Sequence, residues 1–326
     1  MATAITPSSL SQALASTEFT SYLEDTHKLL RLVYPYLRPL YRFGRRGLTR
    51  FVVDFLTSLA YRPYFASVLG FSSLRTSFVH IRYREHPRCY ALYSSPSKYH
   101  ANHSPTEKKK STLIMFVHGG AWGSGRAEFY SPLAASYNKQ GYSVAVVGYR
   151  TYPDASVSGQ VDDVHSAYLR LRSGYDSVIL VGHSSGSHVT LLAVLKHAMD
   201  VTWLGLAGVY DVPAHFEFES KRGLEMVSTM QPANGSTWEA MRGWSLPSWL
   251  SKAQSNTSTF RLVHGLEDST VPFTQSYRAV QQLKGMGADA RLVLRPAGDH
   301  QSVLIEFMKG AMEEMLREGQ PRISKL

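Results

Sequence analysis

The sequence predicts a doubly wound α/β fold, in which a mostly parallel sheet of about eight strands carries helices on both faces. Three observations lead there. From about residue 76 onward, short β-rich runs alternate strictly with amphipathic helical patterns, as repeated βαβ units require. The later runs are continuously apolar rather than alternating, which marks strands covered on both faces. A length of 326 residues with 44% hydrophobic and 18% charged residues supplies a core for one large domain or two modest ones.

Taken in order, residues 1–20 are rich in Ser, Thr and Ala and lack the apolar core of a signal peptide, so no cleaved leader is expected. Residues 23–71 interleave aromatic and aliphatic side chains with arginines. Their most apolar window, 51–71, contains Asp54, Arg62 and Pro63, so it reads as amphipathic helices and not as a membrane span. Residues 1–110 hold 16 Lys and Arg against 6 Asp and Glu, whereas the remainder is balanced, so the net charge of +10 sits in the first third. An excess so placed fits a solvated helical extension or an electrostatic partner. These helices are expected to lie either on the α/β domain itself, as a cap, or on an anionic membrane surface reached peripherally by Arg42, Arg45, Arg46 and Arg50, and no nucleic acid is expected. Residues 1–75 are thus assigned to a basic, amphipathic helical extension and 76–320 to the α/β domain.

Strands are expected over 78–83, 89–94, 113–118, 143–149, 178–183, 201–210, 260–265 and 290–296, with helices over 128–139, 160–172, 188–197, 273–286 and 301–316. The polar, Pro/Ser/Lys-rich stretch 95–111 is a surface loop. Residues 211–250 break the alternation after the sixth strand, and an insertion of that length, or lid, in a compact domain is usually functional. The lone Cys89 excludes an internal disulfide framework and a cysteine-based metal cluster.

The chemistry begins at Ser184, the centre of G182-H183-S184-S185-G186, between an apolar strand and a helix. A sharp strand-to-helix turn needs glycine at its flanks and lifts the serine hydroxyl above the sheet edge. A serine hydroxyl needs a base to take its proton and an acid to orient that base. Both are expected later, at strand ends: Asp268 in HGLEDSTVP and His300 in AGDHQS. Asp211 and Asp299 are the rival acids, although each suits a capping role. HGGAWGSG, 118–125, follows the third strand and offers the bare backbone N–H groups of Gly119 and Gly120, with that of Ser185, to an oxyanion. His118 and His183 flank these turns as loop-holding groups. His188, His197, His215 and His264 read as satisfied structural histidines, and no spacing argues for a metal. Trp122, Trp244 and Trp249, with Trp238, are candidates for lining an apolar substrate pocket.

These strings together resemble the esterase/lipase group of the α/β-hydrolases that carries an HGG oxyanion motif. The resemblance spans roughly 78–318 and includes HGGAW, YRTYPDA (149–155), QVDDV (160–164), GHSSGSH, HGLEDSTVP and GDH. Within that group the chain is similar to kynurenine-formamidase-like and isoprenylcysteine-methylesterase-like hydrolases. The resemblance implies an α/β-hydrolase fold and a cofactor-free serine esterase that cleaves a small-molecule carboxylic ester or related acyl bond through an acyl-enzyme. An arylformamidase, an acyl-thioester hydrolase and a non-catalytic ligand receptor on the same scaffold are the alternatives. Finally, Ser324, Lys325 and Leu326 form S-K-L in the tail 321–326, a receptor-read peroxisomal address, so the peroxisome and its import receptor are expected, with the cytoplasm as the alternative.

Overall fold

The computed structural model describes residues 64–65, 67–70, 73, 75–96, 111–223, 228–250 and 257–317, all within one unit of the chain, Ala60–Leu326. Most of the basic extension and the whole S-K-L tail lie outside the described residues. None of the described helices is long and apolar enough to cross a membrane.

Eight strands form one sheet: β1 (Val79–Arg82), β2 (Tyr90–Ser94), β3 (Thr112–Val117), β4 (Ser143–Val147), β5 (Ser177–His183), β6 (Thr202–Leu206), β7 (Thr259–Gly265) and β8 (Ala290–Arg295). Their order is β1-β2-β4-β3-β5-β6-β7-β8. From β4 to β8 every neighbouring pair is parallel, while β1 and β2 join antiparallel at one edge. The described helices are α1 (Ala127–Tyr130), α2 (Leu133–Lys139), α3 (Val157–Leu171), α4 (Ser185–His197), α5 (Val212–Ser220), α6 (Met230–Ala233), α7 (Trp238–Gly243), α8 (Leu246–Leu250), α9 (Thr274–Gly285), α10 (His300–Met308) and α11 (Met312–Arg317). The insertion is therefore helical, built from α5 to α8.

The uninterrupted apolar runs feed two cores, one on each face of the sheet. In β3, Leu113, Met115 and Val117 point into one core with α3, α4 and α9, while Ile114 and Phe116 point into the other with α2, α10 and α11. Aliphatic and β-branched side chains suit this pleated, doubly covered position. Phe65, within the segment assigned to the extension, is fully buried in the second core and packs on Tyr130 with ring centroids 5.6 Å apart.

Three expected elements differ most from their expected spans, each for a visible reason. The strand expected over 201–210 stops at Leu206, because Ala207 adopts a left-handed φ of 47° and turns the chain. The helix expected over 128–139 is two short helices with Ser131 and Pro132 between them. The helix expected over 301–316 is divided by Gly310, whose φ is +101°.

Beside the sheet, the YRTYPDA and QVDDV segments meet. Arg150 donates from Nε and Nη2 to the two carboxylate oxygens of the fully buried Asp163, at 2.8 and 2.7 Å. The Arg150 backbone N–H and the Cys89 thiol also donate to Asp163, so this buried charge is both paired and hydrogen-bonded. It fixes α3 against the end of β4.

The parallel register aligns the carboxyl ends of the central strands. Val117 of β3 lies beside Gly182 of β5, and Gly182 beside Gly205 of β6. The loops leaving β3, β5, β7 and β8 therefore emerge on one edge, where sites of open α/β sheets collect.

Candidate active site

Ser184 ends the β5 turn with φ 54° and ψ −125°, a conformation that costs a non-glycine residue of order 1–3 kcal/mol and persists only where its surroundings impose it. The surroundings are explicit. The Ser184 N–H donates to Leu206 O at 2.9 Å, and α4 begins at the next residue. A Cβ on Gly182 would stand 2.4 Å from Thr190 Oγ1, and one on Gly186 would stand 2.3 Å from His118 O, so only glycine admits this turn. Helix α4 starts three residues earlier than its apolar pattern, at Ser185, which directs the free N–H groups of its first turn toward the edge where Ser184 stands.

The Asp268 and His300 loops are brought together by a glycine-on-glycine crossing. A Cβ on Gly265 would fall 1.9 Å from Gly298 O, and Glu267 N–H donates to that same oxygen at 3.0 Å. Across this crossing His300 Nδ1 meets Asp268 Oδ2 at 2.7 Å. The other carboxylate oxygen accepts the N–H groups of Thr270 and Val271, both at 2.8 Å. Burial alone would raise the Asp268 carboxyl, but the histidines at positions 264 and 300 and the Val271 N–H hold it well below the usual carboxylate range. His183, adjacent to Ser184, donates from Nε2 to His300 O at 3.2 Å, and the two rings lie 4.8 Å apart between centroids. The base loop is thus seated directly against the nucleophile turn, with the acid behind it on His300. The rival acids are caps: Asp211 accepts from Ala214 N–H, and Asp299 accepts from the N–H groups of Gln301 and Ser302 at the start of α10.

His264 is a partner of the acid. Fully buried, it has Nε2 2.9 Å from Val271 O and 3.2 Å from Asp268 Oδ2, while Nδ1 accepts from Ser276 Oγ at 2.7 Å. The carbonyl requires the proton on Nε2, so the tautomer is fixed. Its i, i+4 relation to Asp268 within HGLED is the sequence signal that marks it, although a loop spacing alone does not reveal the contact.

The HGG loop packs on Ser184 itself: a Cβ on Gly119 would stand 2.8 Å from Ser184 Cβ. His118 Nδ1 donates to Gly119 O at 2.8 Å. In a trans peptide the N–H points opposite to the carbonyl, so this bond turns the Gly120 N–H away from the His118 ring. Gly120 carries φ +126°, and its carbonyl accepts from Ser124 N–H, Gly123 N–H and Ser124 Oγ.

Of the tryptophans expected to line a pocket, Trp122 is a core residue. It is 1% exposed, and its Nε1 donates to His188 Nδ1 at 3.0 Å, because a left-handed φ of 61° turns its side chain inward. Trp244 and Trp249 are half-buried and stacked, with centroids 5.6 Å apart, on the insertion. Trp238 is exposed and meets Phe216 edge-on. Among the described residues no group of three or more His, Cys, Asp or Glu side chains is arranged as metal ligands.

Burial, the largest cause in each case, pushes the pKa of His118, His183 and His188 down from 6.5 to about 4, 3 and 4. The folded chain keeps these rings neutral while the unfolded chain protonates them below about pH 6.5. The stability they support is therefore complete above pH 6.5 and is lost as pH falls toward 4. At pH 5 the loss should be on the order of 2 kcal/mol for each ring. Urea unfolding at pH 7 and pH 5 measures it, and equal free energies at the two pH values would show that the rings are protonated in the fold.

Comparison with known proteins supplies three kinds of likeness. The BD-FAE family matches residues 102–229. A probable isoprenylcysteine alpha-carbonyl methylesterase of Oryza sativa subsp. japonica is 25% identical over 237 residues, covering 65% of this chain and 57% of that protein, so the chain spans little more than half of the relative's length. The kynurenine formamidase of Drosophila melanogaster is 24% identical over 251 residues, covering 70% of this chain and 75% of that protein. Among solved structures, esterase B from Lactobacillus Rhamnosis superposes with a TM-score of 0.62 at 16% identity, covering 82% of this chain and 93% of its own.

Proposed function

We propose that this chain, which has the α/β-hydrolase fold, is a serine esterase cleaving a small-molecule carboxylic ester through a Ser184–His300–Asp268 triad. The observation that carries the reading is the 2.7 Å contact between His300 Nδ1 and the buried Asp268 carboxylate, set against the strained turn that holds Ser184. Support also comes from the methylesterase and esterase names of its relatives.

In this reading His300, oriented by Asp268, takes the Ser184 proton on Nε2 as the hydroxyl oxygen attacks the ester carbonyl. The tetrahedral oxyanion receives backbone N–H groups of Gly119, Gly120 and Ser185, where one such donor is typically worth about 3 kcal/mol. His300 then returns the proton to the leaving alkoxide, and water repeats the cycle on the acyl-enzyme. The chemistry needs no cofactor.

A fluorophosphonate should label Ser184 in the wild-type protein and leave Ser184→Ala unlabelled; the absence of a wild-type adduct would sink the proposal. The likeness to kynurenine formamidase favours a second reading, an amidase acting on an aryl formamide. Comparing kcat/KM for short-chain aryl esters and an aryl formamide separates the two, with the ester expected to be faster. We further propose peroxisomal import through Ser324-Lys325-Leu326, a contact of the basic extension with anionic lipid, and an apolar wall from Trp244 and Trp249. A fluorescent protein fused at the N-terminus should give peroxisomal puncta, and one that blocks the C-terminus should not; identical cytosolic distributions would refute the import claim.

A further inference from the structure

The HGG loop is held by an unbroken series of bonds to its carbonyls. His118 O accepts from Tyr149 OH, Gly119 O from the His118 ring, and Gly120 O from Ser124 and Gly123. Ala121 O accepts from Thr229 Oγ1, and Trp122 O from Tyr152 N–H and Gln160 Nε2. Five successive carbonyls are thereby tied to the protein, and trans peptide geometry fixes the direction of the N–H groups paired with them. Four ties come from the loop itself or from the β4 to α3 region. The fifth, on Ala121 O, comes from the insertion.

That bond falls where the backbone most needs support. Ala121 and Trp122 have φ values of 48° and 61°, both left-handed and neither a glycine. Thr229 also fills the space beside Gly123, where an added Cβ would stand 2.2 Å from Thr229 Oγ1. A second link runs in parallel: the Trp122 indole donates to His188 Nδ1, and His188 Nε2 donates to Trp244 O at 2.6 Å. The insertion thus reaches Ala121 through its backbone carbonyl and Trp122 through its indole, the latter by way of His188.

We propose that Thr229 is a positioning residue for the oxyanion loop, so that the insertion is part of the catalytic apparatus and not only a cover over it. The inference rests on the serine-esterase reading. Its bond holds the Ala121–Trp122 peptide in the left-handed turn, which keeps the preceding Gly119 and Gly120 N–H groups aimed at the oxyanion; a displacement approaching 1 Å at such a site is costly to rate.

Thr229→Val keeps the shape and removes the donor, whereas Thr229→Ser keeps the donor. With an aryl ester as substrate, Thr229→Val should lower kcat roughly tenfold with KM within about twofold of wild type, and Thr229→Ser should restore most of that loss. The rate of fluorophosphonate labelling at Ser184 should fall in parallel with kcat, while thermal unfolding shows that both variants are folded. Unchanged kcat and labelling in folded Thr229→Val would overturn the proposal, as would Thr229→Ser being equally impaired. Failure of the wild-type protein to label would instead refute the esterase reading on which it rests.

Discussion

Replacing His300 with alanine is expected to lower kcat by about 10⁵-fold or more while the protein remains folded. Among the described residues the His300 ring meets the Asp268 carboxylate on one side and the His183 ring of the nucleophile turn on another, so its removal takes away the proton acceptor placed for Ser184. Loss of the serine or the histidine of a triad typically costs nearly as much as loss of all three members, because they act as a unit. The folding cost should be small by comparison. The His300 carbonyl that His183 binds is backbone and survives the substitution. Single-turnover measurement with an aryl ester, read beside the unfolding midpoint, separates the two effects. A kcat within a hundredfold of wild type would assign the base to another residue.

Asp268→Asn is expected to cost about 10⁴-fold in kcat, for a reason that lies in its surroundings. Two backbone N–H groups, those of Thr270 and Val271, bind Oδ1, so the oxygen of an asparagine must stay there. The amide NH2 then occupies the place of Oδ2 and faces His300 Nδ1. That nitrogen must become an acceptor, which moves the imidazole proton to Nε2, the atom that has to receive the Ser184 proton. The NH2 also confronts the His264 Nε2–H, donor against donor. Activity should therefore fall without loss of the fold, and an NMR titration of the His300 ring should report the changed tautomer. Wild-type-like activity in this variant would remove Asp268 from the triad.

Much of this site is legible in the chain because its parts are local. The Ser184 turn, the HGG loop and the two later strand ends are each marked by glycines that the structure shows in close backbone approach: Gly186 under His118 O, Gly119 beside Ser184 Cβ, and Gly265 across Gly298. The strands are legible for a similar reason, since burial on both faces leaves continuous apolar runs that need no partner information. What escapes is set by tertiary contact. The antiparallel direction of β1 and β2 leaves no trace in an apolar run. Nothing near Trp122 in the sequence says that a left-handed backbone turns its indole toward His188. Thr229 is one hydroxyl in a polar stretch, and its partner Ala121 O lies over a hundred residues away.

The Phe65 ring has a practical consequence for where the chain can be cut. It lies on Tyr130, whose ring also packs 5.3 Å from Phe116 and stacks parallel to His118, the residue that orients the Gly119 peptide. Deleting the first 75 residues would take this ring from beneath the loop and leave a void of aromatic size, which typically costs 3–5 kcal/mol. A truncation that begins near residue 60 keeps it. Loss of turnover after the longer deletion would therefore report a hollowed foundation under the catalytic edge, whereas loss after the shorter one would report on the basic segment itself.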